Sequence, residues 1–297
     1  MRPNVFRIDG TGADACAGRI RWAPAKAAWH ITLFTLGLTF APFTASVDAI
    51  LVFLISTYFT LLFGHSVGMH RRLIHRSYDC PKWLERILVY LGVLVGMAGP
   101  IGILRIHDVR DWAQREPACH DFFAHRRSLW RDALWQLCCR FEFERPPRFE
   151  LEPEIANDPW YRWMQRTWML QQLPLAIAFY AMGGWAWVVW GIFVRVTVSV
   201  SGHWVVTYLT HNPGPGPWQV PDAGVQASNL PGCGLITMGE CWHNNHHAFP
   251  ESARIGIYPG ETDPGWWVIA LLQRCGLVTR VGTPRSDLLR EDLLRSA

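Results

Sequence analysis

The sequence is poor in charged residues for its length. Only 18% of its 297 residues are Asp, Glu, Lys or Arg, whereas a soluble domain usually contains about 25%. Half of the residues are hydrophobic, and this abundance excludes a disordered chain and argues against an ordinary soluble enzyme. The net charge of +4 is modest, so the composition does not indicate a nucleic-acid partner and we expect none.

Cysteine motifs and cofactor fingerprints are also missing. The eight cysteines form no CxxC pair and have no spacing typical of a disulfide framework or a Cys-based zinc site. The sequence contains no GxGxxG dinucleotide fingerprint and no haem-attachment motif. A redox reaction would therefore need electrons from a partner protein. The N-terminus lacks the apolar core of a signal peptide, and we interpret residues 1–27 as a polar cytosolic leader.

The sequence does contain apolar runs that are long enough to cross a bilayer. Several of these runs lack a polar face, which favours membrane helices over the buried helices of a soluble protein. We predict four spans, arranged as two hairpins, at about 28–46, 49–65, 168–183 and 185–206.

The distribution of charge predicts the orientation of these spans. The turns at 46–48 and 183–184 carry no Lys or Arg, whereas the leader and the stretch 71–166 are rich in Arg. By the positive-inside rule, the N-terminus, the middle of the chain and the C-terminus are then cytoplasmic. The apolar run 87–104 cannot be a full span in this arrangement, so we expect it to be re-entrant or to lie at the membrane interface.

Most of the twelve histidines lie in segments that this topology places on the cytoplasmic side. His243, His246 and His247 have the i, i+3, i+4 spacing that places imidazoles on one face of a helix. Three adjacent imidazoles would be costly to bury without a ligand, so we predict that they bind a metal. His70 and His75 are five residues apart, and both can bind only if the helix ends or loosens between them.

The number of candidate ligands favours two metal ions with open coordination positions. At least six well-placed histidines are available, whereas a structural zinc site is normally closed by four ligands that often include Cys. Imidazole binds iron, zinc, copper and nickel, so the residues alone do not select the metal.

The segments HRRLIH, GHW and WHNNHHAFP, with FPESAR and DPGWWVI beyond them, resemble the integral-membrane acyl desaturases of the stearoyl-CoA desaturase type. The similarity extends over nearly the whole chain after about residue 28, and we treat 28–297 as one domain. The resemblance implies an all-α membrane fold of four spanning helices with a cytosolic helical cap that holds two metal ions. It implies the metal ligands His70, His75, His203, His243, His246 and His247.

The resemblance also implies the reaction. Two ferrous ions would insert a double bond into a long-chain fatty acyl group, with O2 as co-substrate and two electrons from an external donor such as a ferredoxin or a cytochrome. The acyl group could be carried by CoA, by a carrier protein or by a phospholipid of the bilayer. We expect no catalytic residue beyond the metal site and no other cofactor site. We expect a multi-pass protein of a bacterial inner membrane, with its metal site on the cytoplasmic side.

The sequence departs from the family pattern at two places. The middle HxxHH box is missing, and the corresponding region reads RIHDVRDWAQREPACHDFFAHRR. The second departure lies before His203, where Ser199 replaces an Asn that the family often uses to hold a water at the metal. Substitute ligands or orienting groups are available in the middle region, where carboxylates could also bind iron: His107, Asp108, Asp111, His120 and His125.

Two other functions stay open from the sequence. A hydroxylase on the same scaffold would differ only in the fate of the substrate after hydrogen removal, and no residue decides between the two reactions. The other function is that of a non-catalytic membrane protein that retains a partial site for metal or lipid. The missing middle box favours this last alternative.

Overall fold

The computed structural model describes residues 7–284 and 293–295, which are mostly helical. Residues 1–6 of the predicted leader, and 285–292 and 296–297 of the predicted domain, lie outside the described residues. The α-helices are α1 (Pro24–Thr44), α2 (Val47–Phe59), α3 (Lys82–Leu94), α4 (Pro100–Arg115), α5 (Asp121–Ala124), α6 (Leu129–Cys138), α7 (Pro153–Ala156), α8 (Pro159–Thr167), α9 (Gln172–Val188), α10 (Arg195–Thr210), α11 (His243–Ala248) and α12 (Pro264–Arg274).

Two π-helical segments and a few short strands complete these elements. The π-helices are Thr60–Ile74, which follows α2 directly, and Val189–Val194, which joins α9 to α10. The strands pair antiparallel, β1 (Ile8–Asp9) with β4 (Arg148–Phe149), β2 (Gly18–Trp22) with β3 (Cys139–Phe143), and β5 (Trp218–Gln219) with β6 (Leu294–Arg295).

The first two helices are separated by a turn of two residues, Ala45 and Ser46. Pro24 lies in the first turn of α1, where its missing N–H costs nothing. Ser46 caps α2, because its hydroxyl accepts a hydrogen bond of 3.3 Å from the backbone N–H of Ala49. Both helices expose large apolar side chains, among them Phe43 and Ile55. Such an apolar surface is unusual for a soluble monomer and suits a lipid environment.

Among the described residues, two continuous helices are long and apolar enough to cross a membrane, Val47–Ile74 and Gln172–Thr210. The first continues well beyond the predicted span 49–65, because α2 runs into the π-helix without a break. The second bends at Gly184, whose φ of 66° and ψ of −156° are non-helical. Glycine adopts this conformation without a steric penalty, and the bend lies where the sequence predicts a turn.

The apolar run 87–104 is divided between two helices instead of forming one. Leu94 ends α3, and Pro100 lies in the first turn of α4. Gly96 lies between them with a φ of +84°, and a Cβ there would lie 2.6 Å from Cγ1 of Val196 in α10. The break is therefore packed tightly against the second long helix, while the placement of this run relative to a bilayer stays a prediction.

A buried ion pair ties the leader to the helices. The guanidinium of Arg7 donates hydrogen bonds to Asp108 at 3.0 Å and to Glu152 at 2.8 Å. It also donates to the backbone carbonyls of Leu73 and Ile74, each at 3.2 Å. Because these carbonyls end the first π-helix and Asp108 belongs to α4, a single side chain of the leader fixes these two helices relative to each other.

We expect Arg7→Met to destabilise the protein. The substitution leaves the carboxylate of Asp108 and the carbonyls of Leu73 and Ile74 without the donor that Arg7 supplies, while Glu152 keeps its contact with Arg76 at 3.1 Å. The loss of one partner from a buried ion pair costs about 3–5 kcal/mol. The midpoint of thermal unfolding in detergent should fall by several degrees. Arg19→Met is the matched control, since Arg19 pairs with Glu142 on an exposed face of the β2–β3 pair. Equal midpoints for the two variants would contradict this role of Arg7.

Candidate metal centre

The π-helix Thr60–Ile74 brings histidines five residues apart to one side. A π-helix is closed by hydrogen bonds between residues i and i+5, and at its end the backbone N–H of His75 donates to the carbonyl of His70 at 3.1 Å. The ring centroids of His70 and His75 lie 4.8 Å apart, and those of His65 and His70 lie 6.3 Å apart. The helix therefore loosens where the spacing of His70 and His75 requires it.

Three segments contribute to a first group of imidazoles. His70 lies in the π-helix and His75 directly follows it, while His107 comes from α4 and His246 from α11. One ring nitrogen of each lies within 4.8 Å of the others. The Nε2 atoms of His70 and His246 are 3.2 Å apart. Ligand nitrogens about 2.1 Å from one ion lie roughly 3 to 3.5 Å from each other, so this group could hold a single metal ion.

A second group lies at the end of α10. His211 directly follows this helix, and its Nε2 atom is 3.3 Å from Nε2 of His243. The Nε2 atoms of His243 and His247 are 3.0 Å apart. The three ligand atoms converge within 4.8 Å, so a second ion could be bound here.

Helix α11 divides its histidines between the two groups. Successive residues of an α-helix are turned by about 100°. His243 and His247 are therefore about 40° apart around the axis, whereas His246 lies about 60° to the other side of His243. We predicted one shared face for all three, but His246 joins the first group and the other two join the second. One six-residue helix thus places the two groups side by side.

His125 lies next to the second group and is oriented by a carboxylate. Its ring stacks on that of His211 with the centroids 5.4 Å apart. Its Nδ1 atom is 3.0 Å from the buried carboxylate of Asp132, which also accepts a hydrogen bond from Trp204. The backbone of His125 has a φ of 53°, which is uncommon for a residue other than glycine. A buried imidazole held by a carboxylate is a frequent arrangement in metal sites, so His125 is a candidate fourth ligand.

His203, which the resemblance implied as a ligand, joins neither group. Its ring packs against that of His65, with the centroids 4.7 Å apart. Because α10 continues to Thr210, the imidazole that reaches α11 is that of His211. Ser199 lies one turn before His203, and Thr207 has the equivalent position before His211.

The other candidates of the middle region are placed differently from one another. His120 caps α5, where its Nδ1 atom accepts a backbone hydrogen bond of 3.1 Å and its ring packs on Phe141. It joins neither group. Asp108 and Asp111 approach Nδ1 of His107 at 3.3 and 3.6 Å. These two carboxylates are therefore placed to orient a ring of the first group.

The hydrogen bonds of the rings leave nitrogens free for a metal. Nδ1 of His211 donates to a backbone carbonyl at 2.8 Å, so its Nε2 atom carries no proton. Nδ1 of His70 lies 2.5 Å from the carboxylate of Glu240, so its Nε2 atom, which faces His246, is the one available to a metal. The Nε2 atoms of His75 and His107 are buried without a hydrogen-bond partner. Buried nitrogens of this kind are unfavourable unless a cation lies between them, so the residues fit metal ions.

Burial also keeps the imidazoles of α11 uncharged. It lowers the pKa of His243 and His246 well below the usual histidine value, and it lowers the pKa of His247 to about 4. Burial alone would raise the pKa of Glu240, but His70 and Arg71 hold that pKa well below its usual value. Neutral imidazoles bind metals, and ionised carboxylates orient them.

A cavity of about 630 Å³ lies beside the second group. His125, His203 and Thr207 contribute to its wall. Its apolar lining consists of Met97, Ala98, Ile103, Ile106, Val109, Phe122, Phe123, Leu137, Phe141, Phe143 and Val200. A metal-dependent enzyme that acts on an apolar substrate needs ligands for the metal beside an apolar cavity of about this size, and the imidazole groups and this cavity meet that requirement.

Comparison with known proteins agrees with this class. The fatty acid desaturase family model matches residues 45–255, which include both groups of histidines. The sn-1 stearoyl-lipid 9-desaturase of Anabaena variabilis is 36% identical over 262 residues, covering 85% of this chain and 93% of the relative. The sn-2 palmitoyl-lipid 9-desaturase of Nostoc sp. (strain 36) is 34% identical over 219 residues, covering 73% and 76%. The chain belongs to the fatty acid desaturase family.

A relative whose name specifies an acyl-CoA substrate, instead of an acyl lipid, is also similar to this chain. An acyl-CoA 5-desaturase of Anemone leveillei is 32% identical over 245 residues, covering 82% of this chain and 75% of the relative. The resemblance inferred from the histidine boxes is confirmed, and so is the class of enzyme: an oxidoreductase that desaturates fatty acyl groups.

Sequence reasoning missed two features of the site. His211 was not included among the predicted ligands, because it lies in a segment rich in Pro and Gly that gives no helical spacing. The second missed feature is the π-helix that carries His65 and His70. The repeated interval of five residues between His65, His70 and His75 could have predicted it, since this interval matches the hydrogen-bond period of a π-helix.

We expect His246→Ala to remove the metal of the first group and to abolish desaturation. Metal per chain, measured by mass spectrometry of the purified protein, should fall relative to the unmodified protein. His120→Ala is the matched control, because this histidine of the middle region packs on Phe141 and should leave the metal content unchanged. Loss of metal in the His120 variant, or full metal content in the His246 variant, would refute the assignment.

Proposed function

We propose that the protein is a di-iron, O2-dependent acyl desaturase. The observation that carries this proposal is the division of α11, in which His246 joins one group of imidazoles while His243 and His247 join the other. When bound, two iron ions would supply the oxidising chemistry that removes two hydrogens from adjacent methylenes, with O2 as the oxidant. One O2, two external electrons and two protons balance the formation of one double bond and two waters.

The ligand set that we propose differs in part from the one that the resemblance implied. His70, His75, His107 and His246 would hold the first ion. The second ion would be held by His125, His211, His243 and His247. His125 would thus replace part of the missing middle box, and His211 would take the role that the resemblance assigned to His203.

Hydrogen bonds around the ligands would fix which ring nitrogen faces each ion. Glu240 would hold Nδ1 of His70, Asp132 would hold Nδ1 of His125, and a backbone carbonyl would hold Nδ1 of His211. Each of these contacts directs Nε2 toward its group. Residues that fix a tautomer in this way raise metal affinity and keep the geometry rigid.

The apolar cavity would hold the acyl chain. Methylenes along such a chain are chemically alike, so the position of the double bond must come from placement. His125 and Thr207 connect the cavity wall to the second group. Phe122, Phe141 and Phe143 would exclude water from the chain.

The charge distribution of the sequence and the two long apolar helices support a proposed membrane arrangement. We propose four spans near 28–46, 49–65, 168–183 and 185–206, with a cytosolic cap built from the intervening and following segments. The turns near Ser46 and Gly184 support two hairpins. The enzyme would be a multi-pass protein of a bacterial inner membrane, with both metal groups and both chain ends on the cytoplasmic side, and a ferredoxin or a cytochrome would deliver electrons there.

The names of two relatives favour a lipid-linked substrate. The relatives from Anabaena variabilis and Nostoc sp. (strain 36) are both named as acyl-lipid 9-desaturases. Lys26, Arg105 and Arg140 also line the cavity and could bind a phosphate-bearing head group. We therefore propose position nine of an acyl chain in a membrane lipid, with an acyl-CoA as the second candidate.

Lipid analysis in a host that lacks unsaturated fatty acids tests the function. With a ferredoxin and its reductase supplied, we expect monounsaturated acyl chains in intact lipids, with the bond at carbon nine by mass spectrometry of derivatised esters. The His120→Ala variant should give the same product, and the His246→Ala variant should give none.

Other products would select the alternatives. An oxygenated acyl chain would show a hydroxylase on the same scaffold. No product from a protein that contains its full metal and has a working electron donor would support a non-catalytic protein that binds metal or lipid.

A further inference from the structure

Helix α6 has two faces with different surroundings. Its inner face carries the fully buried Asp132, which contacts Nδ1 of His125 at 3.0 Å and accepts a hydrogen bond of 2.7 Å from Trp204. Gln136 lies on the same side and lines the apolar cavity. The inner face therefore supports both the second group of histidines and the wall of the cavity.

The outer face of α6 is apolar. Trp130, Leu134 and Leu137 follow one another at the i, i+4, i+7 spacing of a helical stripe. Trp130 is 82% exposed, and Leu134 and the neighbouring Leu129 are exposed as well. An exposed apolar stripe of this kind marks a surface that contacts a membrane or another protein.

The apolar stripe of α6 ends at the first long helix. Leu137 packs against the cluster that Leu33 of α1 forms with Val200 of α10. Next to this contact, α1 exposes large apolar side chains of its own, among them Phe34 and Leu38. The stripe therefore meets the helix that we propose as the first span, in the half of that helix that lies nearer its N-terminus.

Positive charge lies beside the stripe. Arg126, Arg127 and Arg131 are all exposed. Arg127 contacts the carboxylate of Asp121 at 2.6 Å. Among the described residues Arg131 has no carboxylate partner, and its guanidinium lies 5.2 Å from the ring centre of Trp135. Basic side chains next to an apolar stripe are typical of helices that lie in the surface of an anionic membrane.

A bilayer that contains anionic lipids fits all of these features. Its phosphate groups complement the arginines, and its apolar region accepts the stripe. An acidic protein would match the charge, but the stripe meets α1 at a surface that suits lipid. Trp22, which precedes α1 by two residues and lies opposite Cys139 in the β2–β3 pair, is also exposed. Indole rings favour the boundary between water and lipid.

We propose that α6 is an in-plane helix of the cytoplasmic membrane surface, in which Trp130 and Leu134 enter the bilayer while Arg127 and Arg131 bind phosphate groups of anionic lipids. This inference rests on the proposed function, in that residues 28–46 are taken to span the bilayer. Its consequence concerns the substrate. Because the inner face of α6 lines the cavity, the cavity lies at the depth of the lipid head groups and receives an acyl chain from the bilayer without passage through water.

Spin labels on the full-length protein in vesicles of phosphatidylcholine and phosphatidylglycerol test where the outer face lies. By power-saturation electron paramagnetic resonance, a label at Trp130→Cys should collide with O2 several-fold more often than a label at Glu144→Cys, and less often with a nickel chelate. The exposed Glu144 is the matched control, because β3 leads the chain away from α1. The exposed Cys16 and Cys275 are replaced by Ser. Equal behaviour of the two labels would overturn the proposal.

A label at Leu38→Cys, on the exposed surface of α1, separates this proposal from the membrane arrangement on which it rests. If O2 reaches the label at Leu38 but not the label at Trp130, the proposal fails and the proposed span stands. If the nickel chelate reaches Leu38, both fail. A label at Trp130 that neither reagent reaches would show a second copy or a partner protein on α6 and would also overturn the proposal. These readouts need no turnover, so the desaturase activity stands or falls separately, by lipid analysis.

A second measurement tests the binding of phosphate groups. In the same vesicles, the unmodified protein should immobilise spin-labelled phosphatidylglycerol in preference to spin-labelled phosphatidylcholine. The variant that combines Arg127→Gln with Arg131→Gln should lose part of this preference. The matched control combines Arg145→Gln with Arg148→Gln, two exposed arginines that follow β3, and should keep the full preference. An unchanged preference in the α6 variant, or an equal loss in both variants, would overturn the assignment.

Discussion

The central physical constraint on this protein is that several imidazoles are buried together, with ring nitrogens that lack a hydrogen-bond partner facing one another. Water cannot satisfy these nitrogens, and the Nδ1 atoms of His70, His125 and His211 already face a carboxylate or a carbonyl, so that their Nε2 atoms are the ones that face the groups. A bound cation removes the free-energy cost of burying these nitrogens without a partner. The rest of the structure serves to hold the rings in this unfavourable arrangement before the metal arrives.

Buried guanidinium groups supply much of that support. Arg71, almost fully buried, donates to the carboxylate of Asp263 at 2.7 Å and lies 3.4 Å from Glu240, which in turn contacts His70. Arg7 has a similar role at the C-terminal end of the first π-helix, which it connects to α4. Buried ion pairs add little net stability but are costly to break, so they suit a site whose segments come from distant parts of the chain.

Features with strong local signals were predictable from the sequence. The final histidine box was found because its three imidazoles are close in sequence, and the turn at Gly184 was found because paired glycines interrupt an apolar run. The α-helical period used for the prediction was also a source of error. It required the helix to end or loosen between His70 and His75 without indicating a π-helix, and it placed His246 on the same face as its neighbours.

The remaining ligand positions depend on tertiary contacts that leave no local pattern. His211 follows a long helix, and only the length of α10 decides that it, and not His203, reaches α11. His125 owes its orientation to a left-handed backbone and to Asp132, seven residues further along the chain. Neither feature is visible in the spacing of residues, because both depend on contacts between segments that are distant in the chain.

Anomalous diffraction at the iron absorption edge, from crystals of the protein grown with excess Fe2+, tests the central claim most directly. The account predicts a strong peak between His70, His75, His107 and His246, and a second peak between His211, His243 and His247. A single peak elsewhere, or a peak that His203 and His65 coordinate in place of these groups, would contradict it.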